Sequence, residues 1–374
     1  MDNHRPTWAE INLAALRHNL GSIKKAAGDA AVMAMVKANA YGHGMLEVSR
    51  VCREEKVDFF GVATLDEALL LQQVAADIPI LVLGYVSDAE AVVAHSIRSC
   101  IFTLEVAQAM SAAAVKLNRE AWLHIKIDTG MGRIGFLPND ESLKLLQQIA
   151  ALPGIKIEGI FTHFAEADTE NSSFTLRQIT TFREFTSKLE ATGIKIPYKH
   201  CSNSGALINY RQAHFDLVRA GIILYGLYPS PAIIKEKIDI IPVMTLKTKV
   251  VYVKTLPAGH SISYGRTYHC KQDRRIATVP IGYADGYSRK LSNRAQAVIK
   301  GKLVPLVGNV CMDMCMFDVT EAGDVKQGDE VILFGRPEDG VTADDLALAA
   351  GTINYEVVSA LGGRVPRIFI NDKP

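Results

Sequence analysis

"AVMAMVKANAYGHG", residues 31–44, is a run of small and apolar residues that reaches a lysine and opens into a polar loop punctuated by glycine. Its first six residues read as a β-strand buried on both faces, because such strands show continuous apolar runs rather than alternation. The turn after that strand separates the two common parallel folds. A doubly wound dinucleotide-binding sheet would carry G-x-G-x-x-G at this turn, and "KANAYGHG" does not. Lys37 stands where burying an amine is costly. It either snorkels to water along a packed stem or is kept there for chemistry.

Seven more runs repeat the pattern: DFFGVA (58–63), PILVLGY (79–85), SCIFT (99–103), AWLHIKID (121–128), IKIEGIFTHF (155–164), YKHCSN (198–203) and DLVRAGIILYG (216–226). Helical patterns such as LDEALLLQQVA (65–75) and LEVAQAMSAAAVKLN (104–118) lie between them. About eight such units in roughly 200 residues predict a closed (β/α)8 barrel, the TIM-barrel arrangement. After about residue 238 the texture changes. MTLKTKVVYVKTL (244–256), RRIATVPIGY (274–283), QAVIKGKLVPLVG (296–308) and DEVILFG (329–335) are strand-like and separated by Gly, Pro and Asp turns. Little helix is expected there until TADDLALAAGTINYEVVSAL (342–361). The predicted class is α/β plus β: a barrel over 1–238, then a mostly antiparallel β domain over 239–374. The strand-like residues near 6–12 are expected to be free to pair with that second domain.

The 374 residues are 48% hydrophobic, enough for two cores, and the formal net charge is +1. That balance argues against a nucleic-acid or membrane-surface protein. Six scattered cysteines with no CxxC pair suggest neither a disulfide framework nor a zinc site, and no metal is expected. The N-terminus lacks an apolar signal core, and the longest apolar stretch, IPILVLGYV (78–86), is too short for a bilayer. A cytoplasmic enzyme is the expectation.

In such a barrel, functional residues gather where strands end. Those positions give Lys37 and Tyr41 after the first strand, Arg133 in "DTGMGRIGF", and His163 in "THFA". Asn203 and Ser204 follow the seventh strand, and Arg219, Gly221 and Ile222 lie in the eighth unit. A rim lysine can form a Schiff base with a carbonyl, and pyridoxal phosphate supplies one. The Tyr41 and Ser204 hydroxyls and backbone N–H groups near Gly221 and Ile222 suit its phosphate, and His163 offers a face for its ring. Arg219 suits its pyridine nitrogen, and an arginine there can only donate. An unprotonated ring stabilises a carbanion less, which favours quick proton exchange over transamination.

"AMVKANAYGHG", "WAEINLAALRHNL", "HIKIDTGMGRIGF", "THFA", "VRAGIILYG", "SYGRTY", "IGYADGY", "VGNVCMDM" and "TINYEV" resemble, in order, the blocks of the pyridoxal-phosphate-dependent alanine racemases. The resemblance runs nearly end to end. It implies a head-to-tail homodimer in which each active site borrows residues from the partner. It implies two bases, Lys37 and the Tyr264 of the other subunit, with His163 and Arg219 behind that tyrosine. Arg133 and the backbone N–H of Met312 would bind the substrate carboxylate. Lys126 matches a lysine that is often carbamylated and would orient Arg133. Tyr355 would reach the phosphate and narrow the pocket, and Tyr283 would stand at the entrance. Ala220 is a departure, occupying a place where many relatives carry proline or a larger aliphatic residue. The expected substrate is alanine, and the expected product D-alanine for cell-wall precursors. A racemase of serine or broader range is the alternative, and a non-catalytic cofactor-binding barrel a remoter one. A decarboxylase would place a carboxylate where Arg219 stands.

Overall fold

The computed structural model describes residues 5–372. Its first strand, β1 (Thr7–Asn12), is followed by the helix Leu13–Ala27. Eight parallel strands then form one sheet: β2 (Ala31–Met35), β3 (Phe59–Val62), β4 (Ile80–Val82), β5 (Arg98–Ile101), β6 (Ala121–Lys126), β7 (Ile155–Phe161), β8 (Tyr198–His200) and β9 (Leu217–Ala220). The order runs from β8 down to β2 and then β9. Asp216 N–H donates to Lys199 O and Arg219 N–H to Ser202 O, both at 3.0 Å, which brings β9 against β8 and closes the barrel. The intervening helices start at ordinary N-caps: Thr64 with Glu67 in a capping box, Thr103, Asn139 and Ser172. All eight runs fall on these strands and are shortened, chiefly at their C-terminal ends; β5 starts one residue before SCIFT, and DLVRAGIILYG leaves the strand for a helical turn at Ile222–Tyr225.

The second domain is built on β10 (Met244–Lys249), β11 (Tyr252–Leu256), the small pair β12 (Ser261–Ile262) and β13 (Tyr268–His269), and β14 (Arg274–Val279). β15 (Gln296–Ile299), β16 (Lys302–Pro305), β17 (Cys315–Asp318), β18 (Glu330–Phe334) and β19 (Arg367–Ile370) complete it. The structure corrects three of the sequence readings. MTLKTKVVYVKTL is two strands, because the chain changes sheets at Val250: β10 lies in a six-stranded sheet and β11 in a three-stranded one. QAVIKGKLVPLVG is a hairpin, turned by Lys300 and Gly301 at φ 49° and 72°. TADDLALAAGTINYEVVSAL is two helices, Ala343–Ala350 and Asn354–Ser359, parted at Gly351 with φ 67°.

β1 lies inside the six-stranded sheet, antiparallel to β10 and parallel to β19. Thr7, Ala9 and Ile11 are fully buried. Asn12 ends the strand and caps the next helix, its Oδ1 accepting from Ala14 N and Ala15 N. The chain thus crosses between domains without a free linker. A second joint is buried Asn19, whose Nδ2 donates to Leu224 O and Ile241 O while Oδ1 accepts from Ile241 N at 2.7 Å. Beside it Gly226 has φ 75°, and a Cβ there would stand 1.7 Å from Ile241 O.

Gly226→Ala is therefore expected to lower stability by about 3 kcal/mol, from left-handed strain plus overpacking. Urea unfolding measures it, and a loss under about 1 kcal/mol would show that this junction yields easily.

Candidate active site

The C-terminal ends of the barrel strands surround a cavity of about 380 Å³. Eleven of the residues singled out from the sequence line it. Lys37 and Tyr41 come from the end of β2, Lys126 from β6, and Arg133 from the loop after it. His163, Asn203 and Ser204 follow β7 and β8, Arg219, Gly221 and Ile222 belong to β9 and its turn, and Tyr355 comes from the second domain. Met35, Leu83, Ile134, Phe161 and Ser359 also line the cavity and were not singled out. Tyr264, Tyr283 and Met312 do not line it. They sit on the second domain, 72%, 44% and 52% exposed. Tyr283 N–H donates to Cys311 O, and Ala284 N–H to Met312 O. Asn309 Nδ2 donates to Tyr264 O, so the three share one patch.

Lys37 opens an unusual turn. Ala38, Asn39, Ala40 and Tyr41 all have φ between 51° and 56°. Left-handed helical residues with a Cβ cost roughly 1–2 kcal/mol each. Hydrogen bonds offset that cost: Ala38 N–H to Glu67 Oε1 at 2.7 Å, Ala40 N–H to Val36 O, Gly42 N–H to Ala38 O, and Met45 N–H to Asn39 Oδ1. His43 Nδ1–H donates to Tyr41 O at 2.9 Å, and burial pulls that histidine down to about 4. Gly42 then packs so closely on the helix of Tyr355 that a Cβ would stand 2.1 Å from Val358 O. The turn delivers Lys37 and Tyr41 to one cavity from a segment only five residues long.

The Lys37 amine has no hydrogen-bond or ion-pair partner among the described residues. Burial first, and the Arg133 charge second, lower its pKa from 10.5. Lys126 is 2% exposed, its Nζ donating to Ile127 O, and burial with the nearby Arg219 brings it down to about 8. An amine so placed is partly neutral near neutrality, the form that carbamylation requires. Arg219 is buried, and none of its partners among the described residues is a carboxylate. Nη1 donates to His200 O and Nδ1, and Nη2 to Thr162 O, Cys201 O and His163 Nδ1. Its Nε–H donates to no acceptor among the described residues. Burial lowers Arg219 to about 10, still cationic at neutrality. Accepting from Arg219 puts the His163 proton on Nε2, and burial beside Arg219 holds that ring neutral, its pKa well below 6.5.

At the other end, Gly221 N–H donates to Ser204 Oγ at 3.1 Å. A Cβ on Gly221 would stand 3.0 Å from Tyr41 Oη and 3.4 Å from Ser204 Oγ, so the glycine keeps this corner open. The short helical segments Ser204–Asn209 and Ile222–Tyr225 start beside it, with first-turn N–H groups that have no in-helix acceptor. Lys37, Lys126, Arg133 and Arg219 thus share a cavity that no described Asp or Glu lines. Such a cavity suits a ligand with two anionic ends.

A (β/α)8 barrel with an unpaired lysine and a buried arginine at one cavity, joined to a β domain, defines a class of two-domain barrel proteins. Residues 11–229 match the N-terminal domain of alanine racemase, and residues 243–369 its C-terminal domain. An alanine racemase of Clostridium perfringens is 46% identical over 98% of this chain and 95% of its own length. One from Methanococcus maripaludis is 45% identical over 98% and 99%. The solved alanine racemase of Clostridium difficile 630 superposes with a TM-score of 0.95 at 42% identity, covering 100% of this chain and 97% of that one. The Bacillus anthracis enzyme with bound L-Ala-P gives 0.93 at 36%, over 100% and 97%. The chain belongs to the alanine racemase family of isomerases.

Because Arg133 helps to depress Lys37, Arg133→Ala is expected to move the midpoint of Lys37 reaction with an amine reagent to higher pH. Mass-spectrometric labelling rates across pH test this, and an unchanged midpoint would leave burial and the Arg219 charge as the causes.

Proposed function

We propose that this protein interconverts L- and D-alanine with pyridoxal phosphate, and that its working unit is a homodimer with shared sites. The observation that carries the reading is the unpartnered Lys37 in a cavity ringed by cations. The corner of Tyr41, Ser204, Gly221 and Ile222 fits the cofactor phosphate, with Asn203 beside it and Tyr355 narrowing the approach. The free Nε–H of Arg219 fits the ring nitrogen as a donor, and His163 the ring face. When bound, the cofactor would supply an aldehyde to amines and an electron-withdrawing ring that makes the adjacent C–H acidic.

The chain's own residues account for the rest. Lys37 would hold or take a proton at Nζ, and burial first, with the Arg133 charge second, favours its neutral, proton-accepting form. Arg133, exposed at the cavity mouth, binds the substrate carboxylate as a fork. A second base on the opposite face of the substrate would spare a single base from swinging between the two faces. Tyr264 is the reading's candidate, brought by the partner together with Met312 and Tyr283. These three are exposed and contiguous on one chain, and Met312 N–H has no acceptor among the described residues. D-alanine made in this way would feed cell-wall precursor synthesis in the cytoplasm.

Protein with pyridoxal phosphate should produce D-alanine from L-alanine in a coupled assay, and Lys37→Ala should lower kcat by roughly a thousandfold or more. Loaded protein that leaves alanine untouched but turns over serine would shift the substrate, and no turnover of any amino acid would refute the reading. The shared site is tested by mixing inactive variants. A Lys37→Ala chain paired with a Tyr264→Phe chain has one intact site of two. Re-equilibrated equal mixtures should therefore recover about a quarter of wild-type activity. Recovery of none would place both bases in one chain.

A further inference from the structure

Behind Arg219 a line of polar side chains crosses the barrel interior. Arg219 Nη1 to His200 Nδ1 is 2.9 Å, His200 Nε2 to His124 Nδ1 is 2.9 Å, and His124 Nε2 to Glu158 Oε2 is 3.1 Å. Glu158 ends the line against Arg98, whose Nε and Nη2 reach its two oxygens at 3.1 and 3.2 Å. Both histidines are fully buried and Glu158 is 7% exposed.

The proton order along this line is set by its two ends. Arginine only donates and an ionised carboxylate only accepts. His200 Nδ1 therefore accepts, so its proton is on Nε2 and points at His124. His124 Nδ1 accepts in turn, so its Nε2–H points at Glu158. From Arg219 to Glu158 every hydrogen bond runs the same way, and Arg98 donates to Glu158 from the far side. We infer that Glu158, through His124 and His200, is a positioning residue for Arg219: the chain occupies the inner Nη1–H and leaves Nε–H for the cavity. The inference rests on the racemase reading only in its effect on turnover.

Two features of the backbone make room for the line. β6 and β7 slip register between Leu123 and His124, pairing Leu123 with Ile157 and His124 with Gly159, so Glu158 is the extra residue of a bulge. Gly159 has no unusual φ, yet a Cβ there would stand 2.4 Å from His124 Nδ1. Phe161 stacks on His200 at 4.8 Å and 8°, holding that ring in plane, and Arg219 and Lys126 both lie over its face. The ionisable groups around the two imidazoles are Arg219, Arg98, Glu158, Lys126 and the buried thiols of Cys100 and Cys201. Protonating either ring would set two donors face to face, and burial already holds both neutral.

The test is 15N NMR of the histidine-labelled full chain, with and without pyridoxal phosphate, from about pH 6 to about pH 8. His124 and His200 should each carry hydrogen on Nε2 alone and not titrate. A proton on Nδ1 of either ring, or titration in that range, overturns the chain even if the enzyme racemises alanine. Glu158→Leu and Gly159→Ala should lower kcat for alanine by about tenfold or more, the scale of a lost charged hydrogen bond, with KM within about twofold. Glu158→Gln, whose amide oxygen still accepts from His124, should retain most of kcat. Unchanged kcat in folded Glu158→Leu or Gly159→Ala overturns the positioning role. If those variants do not fold, the wild-type tautomers still decide the chain. Protein with the expected tautomers but no racemisation keeps the chain and refutes its catalytic consequence.

Discussion

A guanidinium buried without a carboxylate is the constraint around which this barrel is arranged. Removing a cation from water costs several kcal/mol unless its donors are satisfied. Arg219 meets that demand with carbonyl oxygens and imidazole nitrogens, three carbonyls coming from the ends of β7 and β8 and the residue beyond β8. Strand ends in a barrel turn carbonyls toward the rim, so the fold itself supplies these acceptors. A carboxylate would have been a stronger partner, but it would also have cancelled the charge. Left uncancelled, Arg219 acts on the groups around it. It is among the causes that hold His163 neutral and Lys126 and Lys37 below ordinary values. One buried charge thus adds to the effect of burial on three titratable groups in the cavity.

The end of β2, the strand beside that of Arg219, meets a different demand. Lys37 and Tyr41 are four positions apart and serve one cavity, and the backbone reaches this by turning left-handed through four residues with a Cβ. Strain of this kind persists only where the surroundings over-determine it. Here Glu67 holds the start of the turn, Asn39 bonds forward to Met45, and Gly42 is wedged under the helix that carries Tyr355. Arg367 of β19 donates to Gly42 O at 2.8 Å, so the second domain secures the turn from below. The position of the lysine is therefore a property of both domains. A barrel stripped of residues 239–374 would lose part of the scaffold of its own rim.

Much of this was legible in the sequence, and the limits have physical causes. Doubly buried strands leave continuous apolar runs, so all eight barrel strands could be read from AVMAMV to DLVRAGIILYG. Rim residues were legible because they follow those runs. The left-handed turn was not, since of Ala38, Asn39, Ala40 and Tyr41 only asparagine favours positive φ. Glu158 in IKIEGIF reads as a solvent-facing charge in an alternating strand, and only the bulge turns it inward. His124 and His200 are 76 residues apart, and no periodicity announces that their rings meet. Strand breaks in the second domain were missed because a change of sheet at Val250 interrupts no apolar pattern.

The two ends of the site differ in what holds them, and that difference bears on how such an enzyme can vary. At the buried end both imidazoles and the Glu158 carboxylate are tied in a line from Arg219 to Arg98, and Gly159 allows no added atom beside it. A change at one member there strands a donor or acceptor in the interior, which costs more than the bond itself. At the open end Arg133 is exposed and has no fixed partner among the described residues. Substitutions there alter shape and charge without stranding anything. Substrate range is therefore expected to be set at the mouth, where side chains can change independently. The line behind Arg219 is held by an interior in which they cannot.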